Sequence, residues 1–108
     1  MGMIKVISYV TNTGKEPFTE WLDVLDIKAR QTIVTRIARV RLGNFGDCKL
    51  LKGAKGLWEL RIDYGPGYRV YFGKKGSSLV ILLIGGSKGS QGRDIAKAKR
   101  YWDLYQEE

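Results

Sequence analysis

The chain contains no histidine, the side chain most often used to move protons near neutral pH. Any acid–base chemistry must therefore fall to lysine, arginine, tyrosine or carboxylates. A single cysteine, Cys48, excludes an internal disulfide. No apolar run reaches membrane-spanning length and no signal-peptide core is present, so a soluble, cytoplasmic protein with no membrane partner is expected. Repeats, low-complexity tracts and linkers are also missing. The 108 residues, 44% of them hydrophobic, are expected to form one domain over 1–108 with a modest core. Nothing in the Met1-Gly2 start supports lipidation, and Met3 is the expected natural start.

Acidic residues are scarce as well, 11 against 19 lysines and arginines, for a net charge of +8. The imbalance is local. Residues 1–26 hold two Lys/Arg against four Asp/Glu, whereas residues 27–56 hold eight against the lone Asp47. A field of that sign attracts polyanions, nucleic acid or an acidic protein segment.

What is present reads as alternating elements. IKVISYV (4–10) is β-branched and apolar and predicts a first strand. Pro17 suits the first turn of a helix whose stripe is Phe18, Trp21, Leu22 and Leu25. Asp26 can cap a second helix, ended by Gly43, with Ile27, Ile33, Val34, Ile37, Ala38 and Val40 on one side. Lys28, Arg36 and Arg39 then point away from that side, while Arg30 and Arg41 fall within it. From Cys48 the period becomes two. CKLLK (48–52) predicts a short strand and KGAKG (52–56) a basic turn. In LWELRID (57–63), Trp58, Leu60 and Ile62 share one face and Glu59, Arg61 and Asp63 the other. In GYRVYFG (67–73), Tyr68, Val70 and Phe72 oppose Arg69 and Tyr71, so a hairpin gathers Glu59, Arg61, Arg69 and Tyr71 into one patch. LVILLI (79–84) predicts a central strand, GGSKGSQG (85–92) a flexible turn, and 91–105 a last helix with Ile95, Ala98, Trp102 and Tyr105 inward. The expected class is α+β, ordered β-α-α-β-β-β-α, with helices packed on a mostly antiparallel twisted sheet.

LKGAKGLWELRIDYGPGYRVYF, followed by an apolar strand and GGSKGSQGRDIAKAK, resembles the RelE/ParE toxin superfamily of bacterial toxin–antitoxin systems. Within it the chain is most similar to the phage-derived, addiction-module killer branch related to HigB. The resemblance runs from the first strand to the last helix. It implies a RelE/ParE-like fold and, for the endonuclease members, cleavage of mRNA on the ribosome by attack of a ribose 2′-hydroxyl on the adjacent phosphate. No metal or other cofactor is implied. The implied partners are a cognate antitoxin, mRNA and the ribosome with its rRNA. Other members of the superfamily poison gyrase without catalysis, and that binding-module function stays open beside the first.

Carried onto this sequence, the resemblance makes Arg61 and Arg69 phosphate binders and transition-state stabilisers, a role suited to the guanidinium fork. Lys52 and Lys55 sit in the basic turn where relatives present lysines to RNA, and Lys52 is a candidate base, with Glu59 as the alternative. Tyr71 offers a stacking ring or a proton donor. Ser87 and Lys88 fill a slot where several relatives carry histidine, arginine or tyrosine, so Lys88 joins the catalytic candidates and the general acid stays open. Lys49, Lys52, Lys55, Arg36, Arg39, Lys88 and Arg93 are the expected nucleic-acid contacts. Taken without the resemblance, Glu59 and Arg61 read as solvated cross-strand charges, and Cys48 as an inert strand residue.

Overall fold

Proline at the first helical position and an aspartate cap set the two N-terminal helices. The computed structural model describes residues 3–108; the expectation about the Met1-Gly2 start lies outside them. After strand β1 (Lys5–Ser8), helix α1 (Pro17–Asp23) opens on Pro17 and buries Phe18. Helix α2 (Ile27–Arg41) is capped by Asp26, whose side chain accepts a hydrogen bond from the Ala29 amide at 2.9 Å. Gly43, with φ of +88°, turns the chain out of the helix as expected.

Strands β2 (Cys48–Leu50), β3 (Leu57–Ile62), β4 (Tyr68–Lys75) and β5 (Leu79–Ser87) follow, then a single 3₁₀ turn at Lys88–Ser90 and helix α3 (Gln91–Glu107). The short segment at Cys48 is a full sheet member, so four strands rather than three separate α2 from α3. The sheet order is β1-β5-β4-β3-β2, with β1 parallel to β5 and every other pair antiparallel. This is the α+β architecture the sequence predicts.

Two cores lie on opposite faces of the sheet. On one, Ile33, Ile37 and Val40 of α2 and Phe18 of α1 meet Leu60, Ile62, Val70, Phe72, Val80 and Leu82. On the other, Ala98 and Trp102 of α3 meet Leu57, Tyr71, Ile81, Leu83 and Ile84. The face of α2 against the sheet is narrower than the sequence suggests, since Ile27, Val34 and Ala38 are exposed. Ala29 takes a buried place instead.

β5 differs from expectation in two respects. The pairing steps from Tyr71↔Ile84 to Phe72↔Leu82, leaving Leu83 as an extra residue. That bulge sends Leu83 and Ile84 to the same core. Gly85, Gly86 and Ser87, read from sequence as part of a flexible turn, continue the strand.

Gly73 shows how closely α3 packs: a Cβ there would overlap the Trp102 ring. Overpacking of this kind costs about 1–3 kcal/mol. Gly73→Ala is therefore expected to lower Tm by about 4–8 °C for each kcal/mol lost, and a calorimetric Tm equal to the parent's would contradict the seating of Trp102 on Gly73.

Candidate functional site

The β3–β4 register places Arg61 directly opposite Arg69 and Glu59 opposite Tyr71, with Lys49 of β2 on the far side of Glu59. Alternation puts all five on the sheet face that α3 covers. α3 begins only at Gln91, so its body lies over Leu57 and Tyr71 while the arginine end of the face is left open.

Two cations facing each other across a ladder repel, and a buried carboxylate answers that repulsion. Glu59 is only 1% exposed; its Oε1 accepts a hydrogen bond from Arg61 Nε at 3.2 Å, and Arg69 Nε lies 3.9 Å from its Oε2. Gln91, the first residue of α3, donates from Nε2 to Oε2 at 2.5 Å. Arg69 also donates from Nη1 to the Tyr68 carbonyl at 3.2 Å. The arginine side chains are 37% (Arg61) and 13% (Arg69) exposed. They are held from behind and open towards solvent.

Both line a cleft of about 400 Å³ together with Asp47, Asp63, Gly67 and Lys88. The Lys88 amide donates to the Gly67 carbonyl at 2.8 Å, which ties the 3₁₀ turn to the start of β4. A Cβ on Gly67 would approach Arg69 Nη1 at 3.5 Å and Lys88 Cβ at 3.6 Å. These are ordinary contact distances, and they set Lys88 and Arg69 on either side of Gly67.

The family model described as "Phage derived protein Gp49-like (DUF891)" matches residues 20–103, which includes every element of this cleft. The chain belongs to that family. A Haemophilus influenzae (strain Rd) protein carrying the name "Uncharacterized protein" is 48% identical over 83 residues, 76% of this chain and 82% of that one. The Gp49-like proteins are toxins of the toxin–antitoxin kind, related to the RelE/HigB branch.

In this Gp49-like chain the other expected site residues separate. Lys52 and Lys55 lie in the turn before Leu57, beside α3, where Lys55 O accepts from Trp102 Nε1 at 2.8 Å. Leu57 and Arg61 are about 13 Å apart along β3, at roughly 3.3 Å per residue. The lysine turn thus sits at the opposite end of the strand from the arginine cleft, and Lys52 is not brought to it. Arg36, expected on the free face of α2, donates from Nη1 to the Arg61 carbonyl at 2.7 Å and from Nη2 to the Phe45 carbonyl at 2.9 Å. It acts as a strut between helix and sheet. Arg39 stays exposed and lines a separate groove with Lys28 and Tyr64. Arg93 is exposed on α3.

Glu59 and Tyr71 depart from the roles expected of them. Glu59 is shut away behind the arginines, out of reach of a substrate hydroxyl, and serves as their anchor. Tyr71 is fully buried, so no base can stack on its ring. Its hydroxyl is enclosed beside the Glu59 carboxylate without a well-formed hydrogen bond. Burial, and then the Glu59 carboxylate, push its pKa far above the ordinary 10. It is a poor proton donor. Burial likewise pushes the Cys48 thiol up, which suits a structural cysteine.

The Tyr71 shift has a sign that experiment can read. The unfolded chain releases this proton near pH 10, whereas the folded chain holds it. The stability it lends is complete below pH 10 and falls as pH rises beyond. Tyr71→Phe is expected to change Tm at pH 7 little, since the hydroxyl it removes makes no well-formed hydrogen bond. It should also flatten the fall in Tm between pH 9 and pH 11. Tyr9, also raised by burial, keeps some slope. Equal alkaline slopes in the two proteins would refute the assignment.

Sequence reasoning missed Gln91 and Asp47, because no local pattern links them to the arginines; alternation did set Asp63 on the Arg61 face, but no role was given to it. Among the described residues, no group of three or more Cys, Asp or Glu side chains is placed to hold a metal ion, and no helix is long and apolar enough to cross a membrane.

Proposed function

We propose that this Gp49-like protein is the toxin of a toxin–antitoxin module and that it cuts mRNA on the ribosome, as RelE/HigB-type endonucleases do. The observation that carries the reading is the Arg61–Arg69 pair, braced by buried Glu59 and opening into a cleft with Lys88. A phosphodiester between the two guanidinium forks receives donors at both non-bridging oxygens, and these strengthen as charge builds in the transition state. The ribose 2′-oxygen attacks phosphorus and the bond to the 5′-oxygen breaks, leaving a 2′,3′-cyclic phosphate and a 5′-hydroxyl. Asp47 and Asp63, in the same cleft, are the carboxylates placed to take the 2′-hydroxyl proton. Lys88, in the same cleft, supplies one to the departing 5′-oxygen.

The cleft is shallow and supplies few contacts beyond these groups, so alignment of the RNA must come from outside. The ribosome provides it in this reading, and α2, with five cations and no acid, suits an rRNA surface. Lys49, beside Glu59 on the edge strand, and Arg39 extend the basic surface. A cognate antitoxin would neutralise the protein by laying an acidic segment over the cleft.

Primer extension on a defined mRNA, with and without translating ribosomes, tests this. Cuts that require ribosomes and vanish in Arg61→Ala support it. Intact mRNA with unimpaired translation would instead favour a non-catalytic, gyrase-type binding module.

A further inference from the structure

A second cleft adjoins the arginine cleft and plays no part in the chemistry above. β1 ends at Ser8, paired with Leu82, so among the described residues the last part of β5 has β4 on one side and no strand on the other. Helices α1 and α3 flank this open edge and enclose a slot of about 440 Å³, within the range of about 300–1,000 Å³ usual for small-ligand sites. One wall is aromatic: Trp21 and Tyr68 both line the slot, their ring centroids 6.0 Å apart and inclined at 70°. The other wall is polar, with Asp94, Arg93 and Lys97 of α3.

The two glycines that close the floor of the slot let both walls approach it. A Cβ on Gly85 would overlap the Trp21 ring, and one on Gly86 would overlap the Asp94 carboxylate. Asp94 is buried and also accepts a hydrogen bond from Ser90 Oγ. Arg93 and Lys97, four residues apart on one face of α3, are exposed at the rim. A ring-lined wall, an acceptor-only group set deep and two cations at the mouth match a nucleotide: base inside, phosphate outside.

The slot and the arginine cleft share no lining residue, and their linings meet only as chain neighbours. Ser87 lines one and Lys88 the other; Tyr68 lines the slot and Arg69 the cleft.

We infer that this slot binds a nucleotide, its base against the aromatic wall with Asp94 accepting hydrogen bonds from the base edge. The inference rests on the endonuclease reading for its biological setting. Guanine fits the acceptor best, because its ring N–H and amino group point the same way. Uracil, whose one N–H lies between two carbonyls, fits worst.

Titration with 5′-GMP, 5′-UMP and inorganic phosphate, followed by amide NMR shifts and tryptophan fluorescence, tests the slot without any cleavage. GMP should shift Gly85, Gly86 and Ser90 and bind about tenfold more tightly than UMP, the lower range of discrimination for a paired hydrogen-bond contact. Asp94→Asn should remove that preference. Because Asp94 is buried and the variant can misfold, Arg93→Glu with Lys97→Glu serves as the surface test and should weaken GMP about tenfold or more. No nucleotide-induced shift at Gly85 or Gly86, or shifts that phosphate reproduces by itself, would overturn the proposal even if ribosome-dependent cutting persists. GMP binding at these glycines in a protein that cuts no RNA would keep the slot and discard the endonuclease.

Discussion

Arg69→Ala is expected to abolish growth arrest. Arg69 is the more enclosed of the two arginines and stands directly opposite Arg61, so on the proposed function its removal halves the phosphate clamp. Loss of one preorganised donor to a developing oxyanion typically costs about 10²–10³ in kcat, enough to turn a toxin into a tolerated protein. Antitoxin binding should be largely retained, because an acidic segment laid over the cleft would still meet Arg61, Lys88 and the surrounding basic surface. Arg69→Lys keeps the charge but not the planar fork and should recover only part of the rate. Growth arrest by Arg69→Ala at wild-type expression would sink the assignment. A Tm and a purified antitoxin complex like the parent's are the controls that exclude misfolding.

Glu59→Gln carries the second large effect, and it separates two roles for one carboxylate. As an anchor, Glu59 cancels the repulsion of a directly opposed arginine pair. Breaking a buried ion pair from one side costs about 3–5 kcal/mol. Arg61 is partly solvated, which screens its share, so a loss of about 2–3 kcal/mol is expected. Chemical denaturation should show this as a lower midpoint with an unchanged slope. Cleavage should fall with it, since the guanidiniums are no longer held, and phosphate binding should weaken in parallel. If Glu59 were instead the base, the variant would keep its stability and its phosphate affinity while losing rate alone. An unchanged denaturation midpoint would therefore contradict the anchor.

The arginine pair was legible because alternation along LWELRID and GYRVYF assigns faces, and the hairpin between them fixes register. Depth was not legible: alternation puts Glu59 and Arg61 on one face without saying that α3 begins at Gln91 and buries only the first of them. The same gap hid the fate of Tyr71. Lys52 looked near the arginines because only nine residues separate it from Arg61, but strand geometry carries that separation to the far end of β3. Arg36 faced outward on a helical wheel that does not include the carbonyls of Phe45 and Arg61. On α2 the apolar arc was drawn too wide, since a helix resting on a twisted sheet touches it along a narrow line, and Ile27 and Val34 fall outside. The bulge at Leu83 left no mark in a run of aliphatic residues. Yet it decides that Gly85 faces Trp21 and Gly86 faces Asp94.

The strand order also sets when the arginine site is completed during synthesis. β5 is inserted between the first strand of the chain and β4, and the anchor on Glu59 is completed by Gln91, 32 residues later. A nascent chain that ends before β5 has the two arginines but neither the central strand beneath them nor the amide behind them. At about 5–20 residues per second, the stretch from Glu59 to Gln91 takes a few seconds to make. Through that interval the arginine site is incomplete, so on the proposed function an antitoxin present beforehand meets its target before the clamp is assembled.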